Sequence, residues 1–528
     1  MRSEADNVAG WLVDHAVRQG AGPALRDAER ALSYAALEAR CARAAGALRT
    51  RGVARGERVA LLLGNRSATL EAVFGAARLG AIAVPLNTRL AAPELAEQLD
   101  DARPALLLHE AGLAPLAEAA CAGARRGPAG RLALGHGADA WEAALAAAAP
   151  VAEVAPVSPE DPMILMYTSG TTGVPKGALL PHRKALYNCK NAGAFFGLTR
   201  DDRVLVAVPL FHSFGLSILS LPTLWAGGEV VLQPRFEPSA VWRAVARERI
   251  TFFGGVPTMF SALLEALDRE QPDVSSLRFL FTAGAAIPVD LIHAFAARGI
   301  ALKQGFGQTE TSILCCLDAA DAVRKAGSVG RPVPHAELRI VRRERLGRRV
   351  RDWQDCAVGE SGEIVVRGPI TMTGYWERPE ATAETLREGW LLTGDLGHFD
   401  AEGFVTLDGR SKELFISGGE NVYPRQVEAV YEQHPAVREV AVVGVPDPRW
   451  GEVGCAYVVL RDGARLDPDE LTRFGRERLA AFKVPQRFVA VAALPRTASG
   501  KVQKHRLGQQ GDAPAPSRTH GPAGGSEK

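Results

Sequence analysis

Short β-rich runs alternate with amphipathic stretches along most of the chain. Residues 58–63 (RVALLL) and 81–85 (AIAVP) predict strands, and residues 67–79 between them have the apolar spacing of a helix. The same order of elements returns later, at residues 203–208, 214–225, 229–232 and 238–248. Repeats of strand, helix and strand predict largely parallel sheets covered by helices, so two successive α/β layers are expected.

The pattern changes to short strands and turns from about Ala336, and it changes again after Lys412. The first change predicts a smaller β-rich subdomain, with strands at residues 338–341, 362–367 and 403–407. The second predicts a small α+β domain, with helices at residues 424–433 and 468–480 and strands at residues 439–444 and 455–460. The expected fold class is therefore α/β, with a large N-terminal domain of two α/β layers plus a β-rich subdomain, followed by a small α+β C-terminal domain.

These changes of pattern give the predicted domain boundaries. The N-terminal domain covers residues 1–410 and the C-terminal domain covers residues 411–507. Residues 508–528 (GQQGDAPAPSRTHGPAGGSEK) are rich in Gly, Pro and Ser and have almost nothing to bury, so a disordered tail is expected there.

Composition excludes several classes of function. The 528 residues exceed the roughly 250 at which a single core stops growing, which agrees with more than one domain. Lys and Arg number 62 against 60 Asp and Glu, and this balance favours neither nucleic acid nor an anionic membrane as a partner. The start of the chain does not predict a secretory signal, and no run reaches the roughly 18 apolar residues of an integral membrane segment. The seven cysteines lack metal-site spacing, so reduced thiols in a cytoplasmic enzyme are expected.

Residues 167–178 (YTSGTTGVPKGA) are the strongest local signal for chemistry. Three glycines, four Ser or Thr hydroxyls and Lys176 can all face phosphate oxygens from one loop. The loop does not have Walker spacing, because Lys176 follows Pro175 and precedes Gly177. Taken alone, the segment predicts either a phosphate-binding loop or a Gly- and Thr-rich surface turn.

Further motifs in a fixed order favour the phosphate loop, because together they resemble the adenylate-forming superfamily, in its acyl-CoA synthetase branch. The resemblance runs from about Leu32 to about Leu507. It is carried by YTSGTTGVPKGA, PLFHSFG (209–215), QGFGQTE (304–310), TGD (393–395), GRSKE (409–413), GGENVYP (418–424) and PRTASGKVQK (495–504). The resemblance implies ATP, Mg²⁺ and coenzyme A as cofactors or co-substrates.

The resemblance also implies a nucleotide site. The phosphate loop would use Thr168, Ser169, Gly170, Thr171, Thr172 and Lys176. Thr309 would contact the α-phosphate and Glu310 would hold Mg²⁺. Phe306 would stack on the adenine, Asp395 and Arg410 would bind the ribose, and the adenine pocket would be lined by Gly284, Ala285, Ala286, Gln304, Gly305 and Gly307.

Lys501, in ASGK, would touch the α-phosphate and the substrate carboxylate during adenylation. In similar enzymes the small domain then swings about a hinge, which falls on Lys412 here, and a thiol attacks the acyl-adenylate. The turn of Ser417, Gly418 and Gly419 would then face the pantetheine arm of CoA.

His212 and Phe214 match residues that line the acyl pocket, with His212 gating access to the carboxylate. The other predicted walls lie at residues 253–258, 282–286, 305–307 and 313–315. These walls are apolar and contain no arginine, which disfavours a dicarboxylic acid. The expected substrate is a hydrophobic monocarboxylic acid, preferably a medium- or long-chain fatty acid, with an aryl or cinnamate-type acid as the alternative.

The predicted reaction is the ATP-dependent conversion of this acid to acyl-AMP and pyrophosphate, followed by transfer of the acyl group to CoA with release of AMP. Two other functions remain open. A ligase could deliver the acyl group to a carrier-protein thiol, which is less favoured because the chain has no carrier domain. A nucleotide-binding sensor without turnover is disfavoured because no core motif is disabled.

Overall fold

The computed structural model describes residues 6–135, 140–168, 175–284, 287–411, 413–417, 420–497 and 501–507. The chain divides into two compact units, Met1–Leu407 and Asp408–Lys528. Lys412, where the hinge is predicted, and residues 508–528, the predicted tail, lie outside the described residues. The predicted boundary between the two domains, with the first ending at residue 410 and the second beginning at residue 411, therefore stays a prediction. The mobility of the second domain also stays a prediction.

The first sheet of the large unit has seven strands among the described residues. Their spatial order is Gly374–Tyr375, Lys176–Pro181, Pro162–Thr168, Ile82–Pro85, Arg58–Leu62, Leu106–Glu110 and Gly130–Leu134. The last five of these pair in parallel, whereas Pro162–Thr168 and Lys176–Pro181 form an antiparallel pair at the edge. The helices of this part of the chain are Ala9–Gln19, Tyr34–Arg49, Ser67–Arg78, Ala92–Ala102, Ala114–Gly123, Ala140–Ala147 and His182–Phe196, with a 3₁₀ turn at Ala111–Leu113.

The second sheet has nine strands within the described ranges. Their order is Arg331–Pro332, Ser312–Leu317, Leu302–Gln308, Phe279–Thr282, Phe252–Gly255, Arg203–Val206, Glu229–Leu232, Pro23–Arg26 and Ala31–Ser33. The helices that follow its strands are Leu221–Ala226, Pro238–Glu248, Pro257–Glu270, Val289–Ala296 and Ala319–Ala322. Six neighbouring strands pair in parallel, which confirms the predicted α/β layers.

The predicted β-rich subdomain is an antiparallel sheet. Its strands in the described part of the chain are Glu337–Val341, Gly362–Arg367, Trp390–Phe399, Leu386–Arg387 and Val405–Arg410. Helix Pro379–Thr385 and 3₁₀ turns Arg343–Arg345 and Val350–Asp352 complete it. The carboxylate of Asp395, at the centre of the longest strand, is placed by this sheet.

The small unit has its own sheet and core, as the pattern after Lys412 predicts. Its described strands are Phe415–Ser417, Glu420–Val422, Val437–Asp447, Gly451–Leu460 and Arg487–Ala490. Its helices are Pro424–Tyr431 and Pro468–Arg476, with 3₁₀ turns Ala481–Lys483 and Lys504–Arg506. Val427, Tyr431, Val442, Val458 and Leu471 are fully or almost fully buried in the core between them.

Side chains at the helix ends explain several of the boundaries. Ser33 accepts a hydrogen bond from the backbone of Ala36, and Glu237 accepts two at the start of Pro238–Glu248. Asp467 does the same for Pro468–Arg476. Each acceptor satisfies a backbone N–H that the first helical turn leaves without a partner.

One predicted helix, residues 214–225, differs in its winding. Phe214–Ser220 form a π-helix, and the α-helix begins only at Leu221. Pro222 has no backbone N–H and its ring clashes with the carbonyl four residues earlier, so regular α-helical bonding cannot pass through this point. The segment that follows His212 is therefore wider than an α-helix.

None of the helices in the described ranges combines the length and apolar character that a bilayer crossing requires. The seven cysteine thiols are free, and Cys41, Cys189, Cys315 and Cys455 are buried.

The buried carboxylate of Glu71 is hydrogen-bonded to side chains of two other helices in the first layer. Glu71 is fully buried, and its two oxygens accept hydrogen bonds from Arg40 at 2.6 and 3.0 Å. The indole N–H of Trp141 also donates to Glu71, at 3.1 Å. Arg40 and Arg30 both pair with Glu142, which extends the network to partly exposed groups.

Glu71→Gln is expected to lower the free energy of unfolding by about 2 kcal/mol, because a buried hydrogen-bonded charge is removed while Arg40 remains. Urea unfolding followed by circular dichroism measures this loss. Glu118→Gln, at an exposed position, is the control. Equal stability of the two variants would show that the Glu71 network contributes nothing measurable.

Candidate active site

An antiparallel hairpin at the carboxyl end of the second sheet carries Thr309 and Glu310. Its strands are Leu302–Gln308 and Ser312–Leu317, and Gln308 pairs with Ser312 across the turn. Gly307 is required at this turn, because a Cβ there would lie 1.8 Å from the carbonyl oxygen of Ser312. The carboxyl edge of parallel strands is where α/β sheets bind ligands, and the hairpin extends from that edge.

The Glu310 carboxylate receives hydrogen bonds from two hydroxyl groups. Thr168 Oγ1 donates to Oε1 at 3.3 Å, and Tyr375 Oη donates to the same oxygen at 3.1 Å. Thr168 also pairs with Lys176 across the two strands, so the first and last residues of the predicted phosphate loop adjoin each other. Ser169, Gly170, Thr171 and Thr172 lie outside the described residues.

Tyr375 is a site residue that the motifs did not predict. It pairs with Ala178 in the first sheet, and its ring centre lies 5.4 Å from the Lys176 ammonium. Burial and the Glu310 charge hold the pKa of Tyr375 above its usual range, so the hydroxyl remains a donor. Tyr375 thus contacts both a phosphate-loop cation and the predicted metal ligand.

Lys184 is a second residue that sequence reasoning missed. Its side chain is buried, and its ammonium donates a hydrogen bond to the hydroxyl of Ser312, two positions after Glu310. Burial lowers the pKa of Lys184 to about 7, although the Glu310 carboxylate opposes this shift. The only signal in the sequence is a lysine in a helix that follows the loop.

The donor set around Glu310 fits a nucleotide-bound Mg²⁺ better than a metal held by protein alone. Among the described residues, no group of three or more His, Cys, Asp or Glu side chains could hold a metal ion. Mg²⁺ commonly binds one or two carboxylates and takes its other ligands from phosphates and water. The single carboxylate of Glu310, beside the first residue of the predicted phosphate loop, meets that requirement.

Asp395 is joined to the same hairpin by Gln308. The Gln308 amide donates to the Asp395 carboxylate at 2.5 Å and to the Thr393 carbonyl at 2.8 Å. Asp395 is only 5% exposed, and its backbone N–H donates to the Thr393 hydroxyl. The predicted ribose-binding carboxylate therefore has a fixed position relative to Thr309 and Glu310.

The predicted adenine wall lies partly on the first strand of this hairpin and partly after the neighbouring strand Phe279–Thr282. Gly284 has φ of +88°, a conformation that glycine adopts easily, and Ala285 and Ala286 lie outside the described residues. Gln304 is 6% exposed, and its side-chain Nε2 has no hydrogen-bond partner among the described residues. A buried donor of this kind fits a ligand-facing amide. Gly305 and Phe306 follow it on the strand.

The predicted acyl pocket is built around aromatic rings. His212 lies in a turn before the π-helix, and the neighbouring Ser213 hydroxyl is 3.5 Å from that of Thr309. Phe214 packs edge-to-face on Phe281, with ring centres 5.7 Å apart. His212 and Phe214, on either side of Ser213, are therefore close in the fold to Thr309, which is predicted to bind the nucleotide.

Two glycines of the predicted acyl-pocket walls lie in close contact with neighbouring side chains. A Cβ on Gly305 would lie 2.7 Å from the ring of Phe281, and a Cβ on Gly254 would lie 2.8 Å from the Leu219 side chain. Side chains on the π-helix and on the central strands thus approach the backbone at positions where no other residue fits without a shift.

The remaining predicted residues belong to the small unit. Arg410 and Lys501 are exposed, and Ser417 is buried in its strand, while Gly418 and Gly419 lie outside the described residues. Lys501 stands in a short hairpin in which its backbone N–H donates to the Thr497 hydroxyl at 3.1 Å. The large unit thus assembles Thr168, Lys176, His212, Thr309, Glu310 and Asp395, and the small unit carries Arg410, Ser417 and Lys501.

Comparison with known proteins identifies the family. Residues 12–376 match the model described as AMP-binding enzyme, and residues 426–501 match the AMP-binding enzyme C-terminal domain. A feruloyl-CoA synthase of an Amycolatopsis species is 43% identical over 499 residues, covering 94% of this chain and 97% of the relative. The indoleacetate–CoA ligase of Aromatoleum aromaticum is 40% identical over 509 residues, with the same coverage.

More distant matches agree with this assignment. A long-chain-fatty-acid–CoA ligase of Mycobacterium tuberculosis is 35% identical over 489 residues, covering 92% of this chain and 94% of the relative. The crystal structure of ATP-bound MatB from Rhodopseudomonas palustris matches with a TM-score of 0.87 at 32% identity, covering 96% of this chain and 99% of that one. The chain therefore belongs to the AMP-binding enzyme family and is an AMP-forming acid–CoA ligase, with ATP and CoA as its co-substrates.

Proposed function

We propose that the acid is an aromatic monocarboxylate of the hydroxycinnamate or arylacetate type. The sequence motifs alone favoured a fatty acid, with an aryl acid as the alternative. We now prefer the aryl acid over the fatty acid, because the feruloyl-CoA synthase and the indoleacetate–CoA ligase are more similar in sequence to this chain than the long-chain-fatty-acid ligase is.

The structural observation that carries the proposal is the ring of Phe214, which packs edge-to-face on Phe281 with ring centres 5.7 Å apart. Phe281 is fully buried whereas Phe214 is partly exposed, so Phe214 is the aromatic surface of this pair that a substrate can reach. A planar substrate ring gains offset or edge-to-face contacts from such a surface, worth roughly 0.5–1.5 kcal/mol beyond area burial. A flexible alkyl chain gains no such contacts and loses rotational freedom on binding.

Adenylation brings one anion against another, since a carboxylate attacks the α-phosphorus of ATP. Placed cations and donors must supply most of the acceleration. In this proposal Lys176 neutralises the β- and γ-phosphates, Thr309 donates to the α-phosphate, and Lys501 contacts the α-phosphate and the attacking carboxylate. Bound Mg²⁺, held by Glu310, would supply Lewis-acid charge neutralisation to the phosphates.

The acyl-adenylate is then attacked by the thiol of CoA. In this proposal the small domain turns about Lys412 and withdraws Lys501, and Ser417, Gly418 and Gly419 face the pantetheine arm. His212 gates access to the acyl carbonyl. Asp395 and Arg410 keep the ribose bound through both steps.

The preferred class of acid is tested by measuring activity with a panel of carboxylic acids. Pyrophosphate release is recorded for hydroxycinnamates, arylacetates, benzoates and saturated fatty acids of increasing length. We expect the highest kcat/KM for a hydroxycinnamate or an arylacetate, by roughly tenfold or more over any fatty acid, which corresponds to about 1.4 kcal/mol of differential binding in the transition state. A higher kcat/KM for octanoate or palmitate would contradict the aromatic assignment. Pyrophosphate release without a CoA product would favour a carrier-protein acceptor instead.

A further inference from the structure

Lys504 is a largely buried cation of the small unit that lies between two carboxylates. Its ammonium nitrogen is 2.8 Å from Oε2 of Glu413 and 2.7 Å from Oε1 of Glu428. The side chain of Glu428 is only 6% exposed and that of Lys504 is 16% exposed. Burial acts to lower the pKa of Lys504, but Glu428 and Glu413 outweigh it and raise the pKa, so this ammonium is charged at neutral pH.

These contacts join three segments of the small unit. Glu428 lies on helix Pro424–Tyr431, and its Oε1 also accepts a hydrogen bond from the backbone of Val442 at 2.8 Å. Glu413 directly follows the predicted hinge residue, and its backbone N–H donates to the carbonyl of Arg410. Lys504 begins the 3₁₀ turn that follows the Lys501 hairpin.

Backbone contacts join the two arms of the Lys501 hairpin, residues 495–497 and 501–503. The N–H of Thr497 donates to the carbonyl of Lys501 at 2.7 Å, and the N–H of Gln503 donates to the carbonyl of Pro495 at 2.7 Å. Arg496 and Val502 form an isolated β-bridge between these bonds. These contacts join the two arms of the hairpin to each other, so its orientation depends on its contacts with the rest of the small unit.

Among the described residues, three attachments hold the hairpin and its end. One is the largely buried ion pair of Lys504 with Glu428 and Glu413. The second is the more exposed ion pair of Arg496 with Glu439. The third is apolar, since Leu507 is buried with Leu494, Ala441 and Val459. The apolar contact keeps the segment folded onto the sheet, whereas the directed charge pairs fix the angle at which the hairpin leaves it.

We propose that Lys504 is a positioning residue for the first half-reaction, because it fixes the Lys501 hairpin to Glu428 and to the residue next to the hinge. The proposal rests on the proposed function, in which Lys501 acts on the α-phosphate during adenylation. Misplacing a group that contacts a transition state by about 1 Å can reduce the rate roughly a hundredfold. The second half-reaction does not use Lys501, so it does not depend on this position.

The test compares Lys504→Met, Lys504→Arg and Glu413→Gln in the full-length protein. The control is Lys483→Met, because Lys483 lies in the same unit and donates to the neutral side chain of Gln426. Adenylation is measured as pyrophosphate release in one turnover with a hydroxycinnamate and without CoA. The second half-reaction is measured as thioester formation from supplied cinnamoyl-AMP and CoA.

We expect Lys504→Met to slow adenylation roughly ten- to a hundredfold and to leave thioester formation within about twofold of wild type. Lys504→Arg should restore most of the adenylation rate, and Glu413→Gln should lower it by a smaller factor than Lys504→Met. Lys483→Met should leave both rates near wild type. Because Glu413→Gln keeps the Lys504–Glu428 pair, it tests the proposal even if Lys504→Met fails to fold.

Equal loss of both half-reactions in Lys504→Met and Glu413→Gln would reduce Lys504 to a structural role and overturn the proposal. An unchanged adenylation rate in both variants would overturn it as well. Wild-type protein separates this failure from failure of the proposed function: a wild type that forms no aryl-AMP contradicts both, whereas an active wild type with unaffected variants contradicts only the role of Lys504.

Discussion

Replacing Lys501 with alanine is expected to slow adenylation roughly 10²- to 10³-fold, because one preorganised donor to developing charge is worth about 3–4 kcal/mol. Conversion of supplied acyl-AMP and CoA should stay within about twofold of wild type, since that step uses no contact from Lys501 in the proposed mechanism. The two half-reactions are measured separately, as pyrophosphate release without CoA and as thioester formation from synthetic acyl-AMP.

Lys501→Arg is the matched variant, because it retains the positive charge but not the compact ammonium. It should recover part of the adenylation rate. The Lys501 side chain is exposed, so neither substitution removes buried packing. A parallel loss of both half-reactions in Lys501→Ala would contradict the assignment of this lysine to adenylation alone and, with it, the alternation between two domain orientations.

Glu310→Gln is expected to slow adenylation roughly a hundredfold at a fixed Mg²⁺ concentration and to raise the Mg²⁺ concentration needed for half-maximal rate. The amide has the shape of the carboxylate and can still accept a hydrogen bond from Tyr375, but it lacks the charge that holds the metal ion. ATP binding in the absence of Mg²⁺, measured by calorimetry, should not weaken, because a negative charge beside the phosphates is removed.

Tyr375→Phe is the comparison that separates charge from hydrogen bonding at Glu310. It deletes the hydroxyl that lies 3.1 Å from Oε1 and keeps the carboxylate. Loss of one such bond is worth about 1 kcal/mol, so its effect on the Mg²⁺ requirement should be roughly fivefold and smaller than that of Glu310→Gln. A Glu310→Gln enzyme with the wild-type Mg²⁺ dependence would contradict the assignment of Glu310 as the metal ligand.

The spacing of apolar residues predicted the positions of individual strands and helices. The strand at Arg58–Leu62, the helix at Ser67–Arg78 and the strand at Ile82–Pro85 lie where apolar spacing predicted them. The π-helix at Phe214–Ser220 was predicted as part of an α-helix, because both kinds of helix show amphipathic spacing in the sequence. The one local sign of a break is Pro222, which has no backbone N–H to donate.

Only the site residues that stand in a recognisable sequence motif could be predicted. Thr309, Glu310 and Asp395 stand in recognisable segments, and the structure places them near one another. Tyr375 was missed because its contact with Glu310 joins residues 65 positions apart in the sequence. Gln308 was missed because its function is to hold Asp395, a contact between two motifs that neither motif contains.

Lys184 was missed for a different reason, because the sequence does not show that its side chain is buried. In the sequence it is one polar position in a helix that begins at His182, where a lysine normally lies on the solvent face. Its burial follows from the packing of that helix against the Ser312–Leu317 strand, which no local pattern specifies. Buried charges of this kind become visible only when the sheet order is known.

The most direct test is the mass of the product formed from competing acids. The protein is incubated with ATP, Mg²⁺, CoA and equal concentrations of a hydroxycinnamate, an arylacetate, octanoate and palmitate. An aromatic acyl-CoA as the main product, with AMP and pyrophosphate, is the predicted result. A fatty acyl-CoA as the main product, or an acyl-adenylate that never becomes a CoA thioester, would contradict it.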